Sequence, residues 1–452
     1  MTGSILLGLG GLALLVILIV IRMPIGHAMI LVGGGGIALV NGPALLLSQL
    51  KTLAYGQFSL YSLSVVPMFV LMGALATHAG LSQALFRAAN AWLGWMRGGT
   101  AMAAIAGCAG FGAVCGSSLA TASTMGRVAL PELRRYRYSG ALSTGSLAAG
   151  GVLGILIPPS VVLIIYAIIV EANIVTMFLA AMIPGALAVL LFLITTLVYV
   201  TLFPEAGPKG GAESRAEFIA ATLGMLPVLG IFVIVLGGMY AGFYNPTPGA
   251  AVGAALVWLY GAARRRLGRS AMLSALKETA ATTGMIYLIL LGAELLKIFL
   301  SRIGLPQAAA EFLGASGMAP MLVLVLYLGA LILLGMLMDS LSMILLVIPF
   351  FWPVLVALNG GSFQMAEGAG FGMSTPELKI WFGVLSLIVV ELGLITPPVG
   401  MNVFVISALA RDIPMIETFK GVMPFFLAEI VRVALLVAFP SLVLWLPRLL
   451  SG

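Results

Sequence analysis

Gly154-Ile155-Leu156-Ile157-Pro158-Pro159 and Gly393-Leu394-Ile395-Thr396-Pro397-Pro398 are the two stretches whose reading decides how this chain folds. Each places a proline pair shortly after a glycine, inside an apolar run long enough to cross a bilayer. Proline removes a backbone donor and clashes with the preceding turn, so each pair forces a helix to unwind. Bare peptide groups at bilayer depth are tolerated only where protein or a wet cavity receives them. Two such breaks at corresponding places in two half-chains point to a secondary transporter built from a structural repeat, with an ion or substrate held at the breaks.

Composition secures the membrane setting. Of 452 residues, 62% are hydrophobic and only 8% charged, and mean hydropathy is +1.18, far outside soluble-protein values. Ile5 to Ile21 lacks the basic leader and small-residue cleavage site of a secretory signal, so it reads as a transmembrane helix. The net charge of +7 does not indicate nucleic-acid binding, because the basic residues sit in short loops and report topology. Arg22; Arg87 and Arg97; Arg134, Arg135 and Arg137; Lys209 and Arg215; Arg264, Arg265, Arg266 and Arg269; and Arg411 and Lys420 can all be cytoplasmic under one threading. Lys51, Arg302, Lys379 and Arg448 then lie opposite, and the loop from Asn359 to Pro376 is external. The expected location is the bacterial inner membrane, crossed many times.

The repeat has three anchors. Gly154 to Pro159 meets Gly393 to Pro398, Ser117-Ser118-Leu119 meets Asp339-Ser340-Leu341 with Pro131 on Pro353, and Gly80-Leu81-Ser82-Gln83-Ala84 meets Gly304-Leu305-Pro306-Gln307-Ala308. Their common order argues against coincidence. Residues 1–203 form the first repeat, 204–217 a polar linker and 218–452 the second. The first repeat reads as spans Ile5 to Ile21, Ala28 to Leu47 and Phe58 to Thr77, a surface helix Leu81 to Trp95, a re-entrant pair within 100–131, a broken helix within 141–170, and Val175 to Leu202. The second reads as Phe218 to Tyr240, Pro248 to Ala263, Thr279 to Leu300, a surface helix Pro306 to Leu313, a pair within 320–353, a broken helix within 378–410, and Met423 to Leu446. The fold class is therefore an all-α polytopic membrane protein. Five true crossings per half is an odd number, so the repeats have inverted topology.

Several groups can carry chemistry. Gly116-Ser117-Ser118 is a plausible hairpin tip whose carbonyls, amides and hydroxyls suit a hard cation such as sodium, although small residues also serve close helix packing. The matching tip, Met338-Asp339-Ser340-Leu341-Ser342, holds a carboxylate that costs about 2.5 to 3.5 kcal/mol at the bilayer centre unless partnered. Asp339, Ser340 and Ser342 with the unwound Thr396 to Val399 segment form a second candidate cation site, to which Asn402 adds an amide. Glu391 has the same need for a partner, as a site member or as a structural carboxylate. His27 and His78 read as interfacial or capping residues, Cys108 and Cys115 as packing, and Gly33 to Gly36 as a close helix approach. Glu171, Glu294, Lys297 and Glu429 cannot be paired from sequence. No phosphate-binding loop of the Gly-x-x-x-x-Gly-Lys-Ser/Thr type is present, so the energy source is a gradient or another subunit.

Gly116 to Ala122, Ala148 to Gly151 through Ser160, the Gly-Met-Leu-Met run ending at Asp339, and Glu391 through Asn402 together resemble the large membrane subunit of tripartite ATP-independent periplasmic (TRAP) transporters. The resemblance covers nearly the whole chain. It implies an elevator mechanism, with a mobile domain of two hairpins and two broken helices against a scaffold. It further implies sodium coupling, a separate small four-helix membrane subunit, and a periplasmic binding protein delivering an organic anion of the carboxylate class. Carried onto this chain, the sodium sites would use Gly116, Ser117, Ser118, Gly154 and Pro158, and Asp339, Ser340, Ser342, Thr396 and Pro397. Substrate would meet Ser117, Ser118, Thr121, Pro159, Ser340, Pro398 and Asn402. No transition metal and no organic cofactor are expected. The insertion from Asn359 to Ser374 is longer than the repeat requires, and it is assigned to the binding protein or the external vestibule.

Three rivals remain at this stage. A channel would conduct without a sodium gradient, an intramembrane enzyme would need a dyad such as Asp339 with Glu391, and a sodium/carboxylate symporter would work without any binding protein.

Overall fold

The computed structural model describes residues 2–210 and 214–450, and the regular structure within them is helical apart from one isolated bridge, Arg97 to Lys209. In chain order, α1 (Thr2–Val20), α2 (Ile25–Asn41) and α3 (Pro43–Phe58) lead through a 3-10 turn at Tyr61–Ser64 into α4 (Val65–Ala79) and α5 (Leu81–Leu93). The first hairpin is α6 (Gly99–Cys115) with α7 (Ser118–Arg135), followed by the broken pair α8 (Gly140–Leu156) and α9 (Val161–Ile169), then α10 (Ile174–Leu202). After the linker come α11 (Arg215–Phe232), a π-helical turn at Val233–Gly237, α12 (Gly238–Tyr240), α13 (Pro246–Ala263), α14 (Arg269–Arg302) and α15 (Leu305–Ala315). The second hairpin is α16 (Pro320–Gly335) with α17 (Ser340–Asn359), and the second broken pair is α18 (Thr375–Gly393) with α19 (Met401–Leu409). The chain closes with α20 (Met415–Ala438) and α21 (Ser441–Leu450).

Six helical stretches among the described residues are long and apolar enough to cross a membrane, or seven if α8 and α9, bent by 44° at their break, count as one. The chain is a multi-pass membrane protein. Three expected spans differ from the structure. The run from Ala28 to Leu47 is two helices, because Gly42 takes φ +87° and Pro43 opens α3, which buries none of its residues. The run from Met423 to Leu446 is likewise divided, since α20 ends before Pro440 and α21 restarts at Ser441. The third span of the second half begins at Arg269, ten residues ahead of Thr279.

The halves pack by exchanging partners. Helix α2 lies along α14 and α4 along α13, while α8 rests on α20 and α10 meets α18. The glycines of α2 permit the first approach, for a Cβ at Gly33 would lie 2.5 Å from the Leu296 backbone nitrogen. Helices α10 and α20 are joined by a fully buried Arg432, which donates to Glu429 through Nε at 3.0 Å and to the Pro184 carbonyl through Nη1 at 3.0 Å. Glu294 pairs with Lys297 one turn away. The linker docks on the first half, with Gly98 N to Gly207 O at 3.0 Å and Ser139 N to Ala206 O at 2.9 Å; linker residues 211–213 lie outside the described residues.

Candidate functional site

The tips of both hairpins face one cavity of about 440 Å³. Gly116, Ser117 and Ser118 line it from the first hairpin, and Asp339 and Ser340 from the second. Local chemistry fixes both tips in the same way. Ser117 caps α7, its Oγ accepting from Ala120 N at 3.4 Å, and Asp339 caps α17, its carboxylate accepting from Ser342 N at 3.2 Å and from the Ser342 hydroxyl. An acceptor at a helix N-terminus satisfies an orphan amide and is favoured by the helix dipole. Asp339 therefore has hydrogen-bond partners inside the protein.

Each tip-bearing hairpin meets its broken helix through bare glycine. A Cβ at Gly112 would lie 2.4 Å from Gly154 Cα, and one at Gly393 would lie 2.6 Å from Gly335 Cα. The two breaks nevertheless differ chemically. At the first, Pro158 and Pro159 are buried, and a Cβ at Gly116 would sit 3.0 Å from the Pro159 carbonyl. A Cβ at Gly154 would meet Thr121 Oγ1 at 2.4 Å and the Ser117 carbonyl at 2.8 Å. Thr121 Oγ1 is buried without a hydrogen bond among the described residues. Neutral oxygens of Ser117 and Thr121 thus meet at Gly154, with the Pro159 carbonyl against the neighbouring Gly116, and oxygens of this kind suit a hard monovalent cation. At the second break Pro397 and Pro398 are exposed, while Thr396 is buried and returns its hydroxyl to Leu392 O at 2.6 Å. Leu394 and Met401, which flank that break, reach the cavity wall; Thr396, Pro397 and Pro398 do not. Both X-Pro bonds within the proline pairs are cis.

Glu391 is fully buried and joins the halves of the site. Its Oε1 accepts from Ser340 Oγ, and Ser118, the counterpart of Ser340 in the first hairpin, neighbours the same carboxylate. Glu391 stands two residues before Gly393, whereas Val152 stands two residues before Gly154. The carboxylate is thus a departure from the repeat at the point where its two serines meet.

Asn402 sits elsewhere. Its Nδ2 donates to Ala148 O at 3.4 Å on α8, Oδ1 is buried without a partner among the described residues, and the side chain does not line the cavity. Gly154, Pro158, Pro159, Thr121 and Ser342 stand behind the tips rather than on the cavity wall. Sequence reasoning missed Thr77 of α4 and Glu278 and Thr282 of α14, which also line the cavity. Glu278 lies one residue before the expected start of its span, and the apolar count that placed that start discarded it. Cys108 and Cys115 are buried and unpaired, and no cluster of three or more His, Cys, Asp or Glu suited to a metal occurs among the described residues.

Broken helices, capped hairpin tips and a shared cavity within apolar spans define a multi-pass membrane transporter. Residues 12–442 match the family described as "Tripartite ATP-independent periplasmic transporter, DctM component", and the chain belongs to that family. Among its relatives, the C4-dicarboxylate TRAP transporter large permease protein DctM of Pseudomonas aeruginosa is 32% identical, over 86% of this chain and 87% of that one. The sialic acid TRAP transporter large permease protein SiaM of Vibrio cholerae is 30% identical, over 95% and 96%. The ectoine TRAP transporter large permease protein TeaC of Halomonas elongata is 30% identical, over 85% and 86%. The YdaH transporter of Alcanivorax borkumensis shares the fold, with a TM-score of 0.60 at 15% identity and 89% of each chain covered.

Proposed function

We propose that this chain is the permease of a sodium-coupled importer of a small organic anion carrying a carboxylate, supplied by a periplasmic binding protein and assisted by a separate four-helix membrane subunit. The observation that carries the reading is the convergence of two serine-bearing tips, Ser117-Ser118 and Asp339-Ser340, on one cavity, each backed by a broken helix. Sodium takes the oxygens of Ser117, Thr121 and Pro159 in the first half and those of the Asp339 tip in the second. Substrate carboxylate occupies the space between the tips, where the N-termini of α7 and α17 offer amide donors and positive dipole ends. Two of the three relatives are named for acids, which supports the substrate class.

Residues 1–203 and 218–452 are inverted repeats, and the exchanged pairs α2 with α14 and α4 with α13 support that reading. In an elevator cycle the hairpins and broken helices move as one body against the remaining spans. The test is uptake into proteoliposomes of the chain with its small subunit and binding protein, against a panel of organic acids. Saturable uptake that requires an inward sodium gradient and the binding protein is expected; conduction without sodium assigns a channel, and uptake without the binding protein assigns an autonomous symporter.

A further inference from the structure

A second cavity, of about 940 Å³, opens between α5, α7, α11 and α13. Five arginines line it: Arg87 from α5, Arg127 and Arg135 from α7, and Arg264 and Arg266 from the end of α13. Two glutamates share it, and both are engaged. Glu132 pairs with Arg135 at 3.5 Å, and Glu217 accepts from Ser214 N at 2.9 Å in the capping box of α11. Arg266 is held by Gln83 Oε1 at 3.2 Å, and Arg264 lies over the Tyr260 ring. Neither Arg87 nor Arg127 has a carboxylate partner among the described residues. The cavity is therefore a concentration of uncompensated guanidinium, a group whose planar fork matches phosphate.

The opposite wall is bare. Ala220, Ala221 and Gly224 of α11 line it, and a Cβ at Gly224 would meet nothing within 4 Å. Beside that wall Phe218, Leu223 and Leu226 are exposed. Trp92 on α5 and Trp95 in the turn after it are also exposed, and Trp92 Nε1 donates to Thr222 Oγ1 at 3.0 Å on the same α11. Tryptophans of this kind mark the level of the headgroups, and clustered arginine marks the cytoplasmic side. Phosphate-binding charge, a bare wall and flanking apolar surface thus occur together at headgroup depth.

We infer that this cavity binds the phosphate of an anionic lipid headgroup from the cytoplasmic leaflet. The lipid bridges α7, which carries the Ser117 tip at its other end, to α5, α11 and α13. It ties the first hairpin to its surroundings in the state described here, so lipid composition biases the hairpin's position. The inference stands on the arginine geometry and is independent of sodium coupling or substrate.

The full chain in mixed phosphatidylcholine and phosphatidylglycerol nanodiscs tests it, with retained lipid counted by native mass spectrometry. The parent is expected to enrich phosphatidylglycerol about tenfold over phosphatidylcholine, a difference of about 1.4 kcal/mol. The double variant Arg127→Gln/Arg264→Gln is expected to lose the enrichment. So is Gly224→Leu, which fills the cavity without removing charge and which a helix accommodates readily. Enrichment that survives both changes overturns the inference. A parent that retains phosphatidylglycerol no better than phosphatidylcholine but binds inorganic phosphate through the same arginines also overturns it, by assigning the cavity to a soluble anion.

Discussion

At the scale of single residues, the two halves of the site are equivalent in placement and unequal in chemistry. Ser117 and Asp339 cap corresponding helices, yet one is neutral and the other a carboxylate. Thr121 brings an unpartnered oxygen to the first glycine contact, where the repeat places Met343 in the second half. Thr121→Val keeps the volume and removes that oxygen. Sodium titration of uptake is expected to show its half-saturating concentration raised about tenfold, equivalent to about 1.4 kcal/mol. An unchanged sodium curve removes Thr121 from the cation site. Ser118→Ala and Asp339→Ala are expected to shift the same curve, and the same assay reads them. A methyl at Gly154 has no room beside Thr121 Oγ1 and the Ser117 carbonyl, so Gly154→Ala is expected to cost about 1–3 kcal/mol of overpacking, seen as a lower thermal midpoint in detergent. An unaltered midpoint means that the hairpin and the break are not in contact.

At the scale of elements, the tips and breaks were legible because they violate the rule their surroundings obey. Glycine and serine within long apolar runs, and proline pairs inside would-be spans, leave no ordinary helical reading. The ends of plain helices lacked such signals. The run Ala44-Leu45-Leu46-Leu47 continues the hydropathy of α2, so the boundary at Gly42-Pro43 escaped notice, and Phe439-Pro440 was absorbed in the same way. Glu278 was lost because hydropathy trims a charged residue from a span even where the helix runs on. Arg432 illustrates a further limit. Sequence shows Glu429 and Arg432 one turn apart but not the Pro184 carbonyl of α10 that completes the pairing. Removing one member leaves an uncompensated buried charge, so Arg432→Met is expected to destabilise the protein by about 3–5 kcal/mol. The double variant Glu429→Leu/Arg432→Met is expected to recover most of that loss in the same denaturant titration. Equal losses in the single and double variants contradict a buried pair.

At the scale of the whole molecule, the exchanged helix pairs and the matched glycine contacts of the hairpins are what a two-fold internal relation produces. The proposed relation rests in sequence on three short anchors, because packing constrains size and apolarity along a span and leaves identity free. The proposed inverted orientation would bring both serine tips to one depth and open one hairpin to the cytoplasm and the other to the outside. That orientation can be read directly by the reaction of single cysteines with a membrane-impermeant maleimide in intact cells and in inverted vesicles. Cys108 and Cys115 are buried and contribute little background. Arg135→Cys, at the open end of the first hairpin, is predicted to react only in inverted vesicles. Phe363→Cys, 96% exposed in the loop after the second hairpin, is predicted to react only in intact cells. Labelling of both positions from the same side contradicts the account.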